Sequence, residues 1–356
     1  MSDFDEYIKD GNPSQREKSL AWKAAIGLQD VDGLKTSDYL HQKAKENIEG
    51  DITIDEVKHL IDSYYQSKGS RRDNEQRTEE ADKVSVRITE ILTESSFSFS
   101  PAYLSLIHRR LFSGIISNAG EYRQYNITKK EWVLDGDTVI YSPYEMIAQT
   151  LDYDFREEKG VDYSSLGVEA AIEKISNFIS GIWQIHPFGE GNTRTTSVFA
   201  IKYLRHFGFP VDNDLFADNS WYFRNALVRA NYTNFTKGVK ATNVFLVRFF
   251  HNLILGTSYP LRNRDLHISQ SATEMAPKCQ DGTLNVTLDE MAVLEFVLKN
   301  PSSTQVEIAG HIGKSPRTVK RIMASLSDKG LLRRENGKRN GRWVVVDVGG
   351  SQNYKQ

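Results

Sequence analysis

The chain has 356 residues, 39% hydrophobic and 26% charged, with a formal net charge of −2. That composition excludes disordered and collagen-like chains and is expected of a soluble globular protein with two or three domains. No run approaches 18 uninterrupted apolar residues, the first ten residues lack an apolar core, and the single Cys279 cannot form an internal disulfide or thiolate cluster. No transmembrane helix or signal peptide is therefore expected, and the expected compartment is the cytoplasm. The charge is uneven. Ten Lys/Arg stand against Asp328 and Glu335 between Lys314 and Arg342, a balance of +8 in 29 residues that leaves about −10 for the rest. A basic C-terminal module on an acidic body implies two jobs.

Residues 1–95 read as helices with clear punctuation. Ser37 can cap a helix that runs to about Ile48 and stops at Gly50. Thr53-Ile54-Asp55-Glu56 has the capping-box pattern and opens a second helix with Val57, Leu60, Ile61 and Tyr64 on one face. The charged segment Ser67–Glu80 is expected to be a solvated loop. Ser100-Pro101 supplies an N-cap with proline at the first helical position. After Gly120, two β-prone runs, Q-Y-N-I-T-K-K-E-W-V-L and D-T-V-I-Y-S, flank Asp135-Gly136 and predict a β-hairpin over 124–142. Ser142-Pro143 restarts helix, which continues from Val168 to about Leu255 with breaks near 186–194 and at Gly208-Phe209-Pro210.

Periodicity is lost over 257–285, the expected linker. Beyond it, helices are predicted at 288–298, 305–312 and 317–326, followed by L-L-R-R-E and R-W-V-V-V around N-G-K-R-N-G. Three helices and a basic hairpin make a winged helix-turn-helix pattern over 286–348. The expected organisation is a helical region over 1–95, a core over 96–256, the linker and this module.

The string H-P-F-G-E-G-N-T-R at 186–194 carries the chemistry. Ile172, Ile175, Ile179 and Ile182 are spaced by three and four, and His186 continues their stripe. Alone, His186 would read as a core histidine at a helix end. It is not alone. Pro187 breaks the helix, and Gly189, Gly191 and Asn192 tolerate tight backbone conformations before a new helix starts near Thr193. Helix N-termini present free N–H groups and a positive dipole end, which suit an anion. Arg194 adds a fixed charge for phosphate, Glu190 is the single carboxylate with which Mg²⁺ is held beside substrate phosphates, and His186 can take a proton from a hydroxyl. Together these groups point to phosphate-group transfer.

This string resembles the Fic family motif, H-P-F-x-D/E-G-N-x-R, at every defined position, and the likeness extends more loosely from about Glu49 to Leu255, through G-E-Y-R at 120–123 and R-N-A-L-V-R-A-N-Y at 224–232. The resemblance implies a mainly α fold, a helical Fic core with a β-hairpin flap, followed here by an α+β winged helix-turn-helix domain. It implies transfer of AMP from ATP, with Mg²⁺, to a hydroxyl side chain of a target protein or of the chain itself. His186 would be the base, Glu190 the metal ligand, Gly189, Gly191, Asn192 and Thr193 the phosphate cradle, and Arg194 the grip on the outer phosphates. Two departures stand out. Thr193 replaces a frequent glycine, which requires a negative φ, and Ser197 replaces a second arginine, which leaves donors other than ATP open.

Three further features carry two readings each. The hairpin either covers the core or offers an edge to an extended target segment. K-E-N-I-E-G at 45–50 resembles the family's inhibitory pattern, S/T-x-x-x-E-G/N, with Lys45 in the Ser/Thr place. Glu49 is then either an inhibitor that pairs with Arg194 or an ordinary helix-end carboxylate. Lys314, Arg317, Lys320 and Arg321 on the recognition helix, with Lys338 and Arg339 on the wing, suit DNA phosphates, although winged helices also dock proteins. A DNA-binding regulator with a nucleotide-sensing core is the rival to the enzyme. The sequence leaves a homo-oligomer open.

Overall fold

Local capping sets most helix boundaries. The computed structural model describes residues 4–67, 73–209, 211, 214–269, 286–335 and 341–346; Cys279, Lys338 and Arg339 lie outside them. Helices α1 (Asp5–Asp10) and α2 (Pro13–Gly27) open the chain, and a reciprocal Asn12–Gln15 capping box starts the second. In α3 (Asp38–Glu49) Ser37 accepts from the Leu40 amide, and Gly50 ends the helix at φ 91, a left-handed conformation that favours glycine. The expected Thr53–Glu56 box opens α4 (Ile54–Gln66), and Ser100 with Pro101 opens α6 (Pro101–Phe112) after α5 (Asp73–Thr93). There follow α7 (Ile147–Lys159), α8 (Val168–Ile185), α9 (Asn192–His206), α10 (Asp214–Asp218), α11 (Ser220–Ala230) and α12 (Val244–Leu255). The C-terminal part holds α13 (Leu288–Lys299), α14 (Gln305–His311), α15 (Pro316–Asp328), β1 (Leu332–Glu335) and β2 (Arg342–Val345). The fold is mainly α with one small sheet among the described residues.

The chain divides into two compact units: 1–159 with 176–202 and 211–274, and 160–175 with 203–210 and 275–356. In the first, Trp22, Leu40, Ile48, Val57, Ile61 and Val86 form a buried cluster shared by α2 to α5. Each such side chain removed from water contributes about 1.5–3 kcal/mol before entropy is counted. Polar links give the cluster its register. Trp22 donates to Asn47 at 3.0 Å, and buried Asp82 accepts from Tyr65 at 2.7 Å and from the Ser37 amide at 2.9 Å.

In the second unit, α15 buries Val319, Ile322, Met323 and Leu326, and β1 pairs antiparallel with β2 from Leu332–Val345 to Glu335–Arg342. Glu290 on α13 accepts from Lys329 at 2.7 Å and Ser325 at 2.6 Å, which ties α13 to the end of α15. Segments 160–175 and 203–210 belong to this unit through particular contacts. The Val168 amide donates to Val286 at 2.9 Å, and Gly208 (φ 84) lies where a Cβ would stand 3.0 Å from Ile312.

Three expectations are corrected. The loop expected over 67–80 is helical from Asp73, and its acidic residues find partners: Glu79 pairs with Lys83 one turn on at 2.9 Å and Glu80 with Arg194 at 2.6 Å. The predicted hairpin reverses direction at Asp135 (φ 54) and Gly136 (φ 82) but forms no strand ladder. Trp132–Leu134 instead make a 3₁₀ turn that buries Val133 and Leu134, and the Glu131 amide donates to Asp137 at 2.9 Å. Finally, 257–269 is not a free linker. Leu266 is buried, its carbonyl accepts from Arg229 at 3.2 Å, and the Ile268 amide donates to Val133 at 2.9 Å.

Candidate active site

The end of α8 delivers His186 in a left-handed conformation, φ 50, which is uncommon for a residue with a side chain. The ring is buried, 2% exposed, with Tyr141 stacked obliquely at 4.3 Å and Trp183 edge-on at 5.3 Å. Nδ1 lies 3.2 Å from the Trp183 carbonyl. A carbonyl only accepts, so Nδ1 carries the proton and Nε2 the lone pair. That Nε2 is buried and has no hydrogen-bond partner among the described residues. Burial first, then the nearby charges of Lys129, Arg123 and Arg224, hold the imidazole well below its ordinary value of 6.5. It is neutral at pH 7, the form that can accept a proton.

The loop after His186 is clamped from outside. Arg123, itself buried, donates through Nε to the His186 carbonyl at 2.8 Å, and through its other nitrogens to the carbonyls of Tyr125 at 2.6 Å and Ile185 at 3.3 Å. Its amide donates to Pro187 at 2.8 Å. Inside the loop, Asn192 closes a ring with Phe188, accepting from its amide at 3.0 Å and donating to its carbonyl at 2.8 Å. His108 stacks on Phe188 at 3.8 Å, accepts from the Gly120 amide at 2.8 Å and donates to the Glu190 carbonyl at 3.1 Å. Gly191 has φ 70, and a Cβ there would lie 2.4 Å from the Phe112 ring. Thr193 accepts from Trp183 at 3.0 Å and lies outside the left-handed region, so its β-branch causes no strain.

Helix α9 begins at Asn192, and its first amides have no acceptor within the helix. Arg194 stands in this first turn but is fully engaged. Nη1 donates to Gln29 at 3.1 Å, Nη2 to Glu80 at 2.6 Å, Nε lies 2.8 Å from Asp32, and the guanidinium covers the Phe112 ring at 4.8 Å. Glu49 is not among these partners. It is exposed and accepts a hydrogen bond from the Tyr7 hydroxyl, which pushes that phenol up to about 12. The expected pairing of Glu49 with Arg194 is therefore absent, and Glu80 and Asp32 stand in its place. The physical reason lies in α5: because it starts at Asp73, it carries Glu80 to the arginine. Ser197 is buried and donates to the Thr193 carbonyl at 2.9 Å, turned inward along its own helix.

Glu190 is exposed, and its carboxylate is the only one in the loop. No group of three or more acidic, His or Cys residues fit to hold a metal occurs among the described residues. One free carboxylate fits Mg²⁺ only when phosphates complete the shell. The segment over His186 is anchored by Glu131, which pairs with Arg224 at 2.7 Å and receives the Tyr141 hydroxyl at 3.4 Å.

In the second unit the basic residues divide. Arg317, Lys320 and Arg321 are exposed along α15, whereas Lys314 pairs with Asp289 at 3.2 Å. Arg333 and Arg342 both pair with Glu335, at 2.8 and 3.1 Å.

Sequence reasoning brought out the residues of the 186–194 loop but missed Arg123, His108, Glu80, Asp32 and Lys129 around it. For Arg123 a signal existed, since G-E-Y-R had been singled out without a role. The other four carry none, because the loop they surround lies far from them in the chain.

The Fic/DOC family model matches residues 98–204, and a winged helix-turn-helix DNA-binding model matches 290–333. The protein adenylyltransferase VbhT of Bartonella schoenbuchensis is 26% identical over 264 residues, 67% of this chain and 53% of VbhT. The chain thus spans about half the length of that curated relative. A crystal structure of a Fic family protein from Desulfovibrio desulfuricans is similar at a TM-score of 0.41 and 13% identity, over 98% of this chain and 94% of that one. The chain carries a Fic/DOC domain and a C-terminal winged helix domain. No helix among the described residues is long and apolar enough to cross a membrane.

Proposed function

We propose that this protein is an adenylyltransferase that moves AMP from ATP to a hydroxyl side chain of a protein, itself or another. The observation that carries this reading is His186: a neutral imidazole whose Nδ1 is tied to Trp183 and whose Nε2 is held without a partner beside the start of α9. In the reaction, Nε2 takes the proton of the target hydroxyl. The hydroxyl oxygen then bonds to the α-phosphorus and pyrophosphate leaves. The α9 amides and Arg194 bind the departing phosphates. Glu190 would hold Mg²⁺, which neutralises phosphate charge when bound. Tyr141 must move aside for a hydroxyl to reach the ring, since His186 is covered in this structure.

Arg194 is held by Glu80 and Asp32 until nucleotide displaces them, a restraint that replaces the one expected of Glu49. The test is label transfer with ATP carrying the label on the α- or the γ-phosphate. Protein should gain α-label only. His186→Ala should lower transfer at least about 100-fold while ATP affinity stays within about tenfold, and Glu80→Gln should raise transfer. Transfer by His186→Ala at the wild-type rate would refute the assignment.

A second activity, DNA binding, is favoured by the exposed Arg317, Lys320 and Arg321 on α15. Three phosphates neutralised give a slope of roughly −3 in log K against log salt. Lys314, Arg333 and Arg342 already have carboxylate partners and add little. Titration of the full chain into labelled duplex across a salt series measures this slope, and no affinity at low salt would remove the reading.

A further inference from the structure

The backbone of the 186–194 loop has used its carbonyls and kept its amides. The carbonyls of His186, Pro187, Phe188, Glu190 and Gly191 accept from the Arg123 Nε, the Arg123 amide, Asn192, His108 and the Thr195 amide, at 2.8–3.1 Å. The amides of Gly189, Glu190, Gly191 and Asn192 donate to nothing among the described residues. A row of free N–H groups makes a seat for an anion. Tyr125 reaches this row from outside. Its side chain is 57% exposed, yet its hydroxyl rests on Gly189, where a Cβ would stand 2.7 Å from the phenol oxygen. That hydroxyl has no hydrogen-bond partner among the described residues. The guanidinium that holds the His186 carbonyl at 2.8 Å also holds the Tyr125 carbonyl at 2.6 Å, so tyrosine and loop share one anchor.

Gly189 lies outside the left-handed region, so its backbone conformation does not call for glycine. The close approach of the hydroxyl does. We infer that the Tyr125 hydroxyl donates to the phosphates of the bound nucleotide beside the Gly189 amide, and that position 189 is bare to admit it. This rests on the adenylyltransferase reading. Two other hydroxyls at the loop cannot serve, since Ser197 donates to the Thr193 carbonyl and Tyr141 to Glu131. A phenol brings a side-chain donor without a charge of its own. Its bond to a phosphate oxygen is charge-assisted, roughly twice as strong as a bond between neutral groups.

The test is calorimetric binding of ATP with Mg²⁺ to the full chain and its variants, with inorganic triphosphate as competitor. Tyr125→Phe removes one oxygen from an exposed ring and should weaken ATP about tenfold. Gly189→Ala should weaken it by a similar factor, because the added methyl displaces the hydroxyl. The double variant should bind no more weakly than Tyr125→Phe, in which the methyl has room. Triphosphate should displace ATP from the wild type and lose the same factor as ATP in Tyr125→Phe. Wild-type ATP affinity in Tyr125→Phe, losses that multiply in the double variant, or a triphosphate that does not displace ATP or loses nothing would overturn the inference and leave the adenylyltransferase reading standing. A wild-type protein that binds neither ATP nor triphosphate would overturn both.

Discussion

The 186–194 loop and the winged helix are both built from short elements, yet they are held in opposite ways. In the winged helix the start of each helix is fixed by a bond spanning three residues, Thr287 with Glu290, Thr304 with Glu307, and Ser315 with Thr318, and the ties from Glu290 to Ser325 and Lys329 span 35 and 39 positions. In the loop they span most of a domain. Arg194 reaches back 165 residues to Gln29 and 114 to Glu80, His108 reaches 82 to Glu190, and Arg123 reaches 63 to His186. Locally capped helices can each form while their neighbours are still uncertain. The loop has no such independence, and its shape exists only when several distant elements have docked.

That contrast can be broken by mutation. The largest effect should come from Arg123→Ala, which leaves several buried carbonyls without a donor and should cost about 3–4 kcal/mol of stability. Urea unfolding measures this, and a loss under 1 kcal/mol would mean the loop holds itself. Acid comes next. Burial pushes His108 down to about 4 from an ordinary 6.5, so between these values the unfolded chain binds a proton that the folded one refuses. Stability is thus complete above pH 6.5 and is lost as pH falls toward 4, by up to about 3 kcal/mol from this group alone. His108→Asn should reduce that loss, and stability that stays flat across this window would contradict a neutral buried imidazole. The smallest effect belongs to the other region. Thr304→Ala removes a cap with local consequences only, and should cost about 1 kcal/mol, with the transfer activity unchanged.

The same contrast explains what could be read from the residues alone. Ser37, Thr53, Ser100-Pro101 and the winged-helix boundaries were legible to within a residue or two, because caps act over three or four positions. The nine-residue motif could be read as one unit, since its histidine, carboxylate, glycines and arginine are neighbours in the chain. What hid were the long-range partners. A charged run such as 73–80 looks solvated until its Glu80 is seen against Arg194, and Glu49 looked like that partner because only its local pattern was visible. The hairpin failed for a related reason: Asp135-Gly136 does turn the chain, but Trp132–Leu134 wind into a 3₁₀ turn that buries Val133 and Leu134 instead of extending as a strand.

His186 also shows where the folded chain keeps some of its free energy. A left-handed residue costs about 1–3 kcal/mol, and a buried nitrogen with no partner costs about as much again. A hydroxyl group that reaches Nε2 relieves that second cost, by donating the one hydrogen bond the fold withholds. On the adenylyltransferase reading, arrival of the acceptor is thus a repair of the fold as much as a binding event.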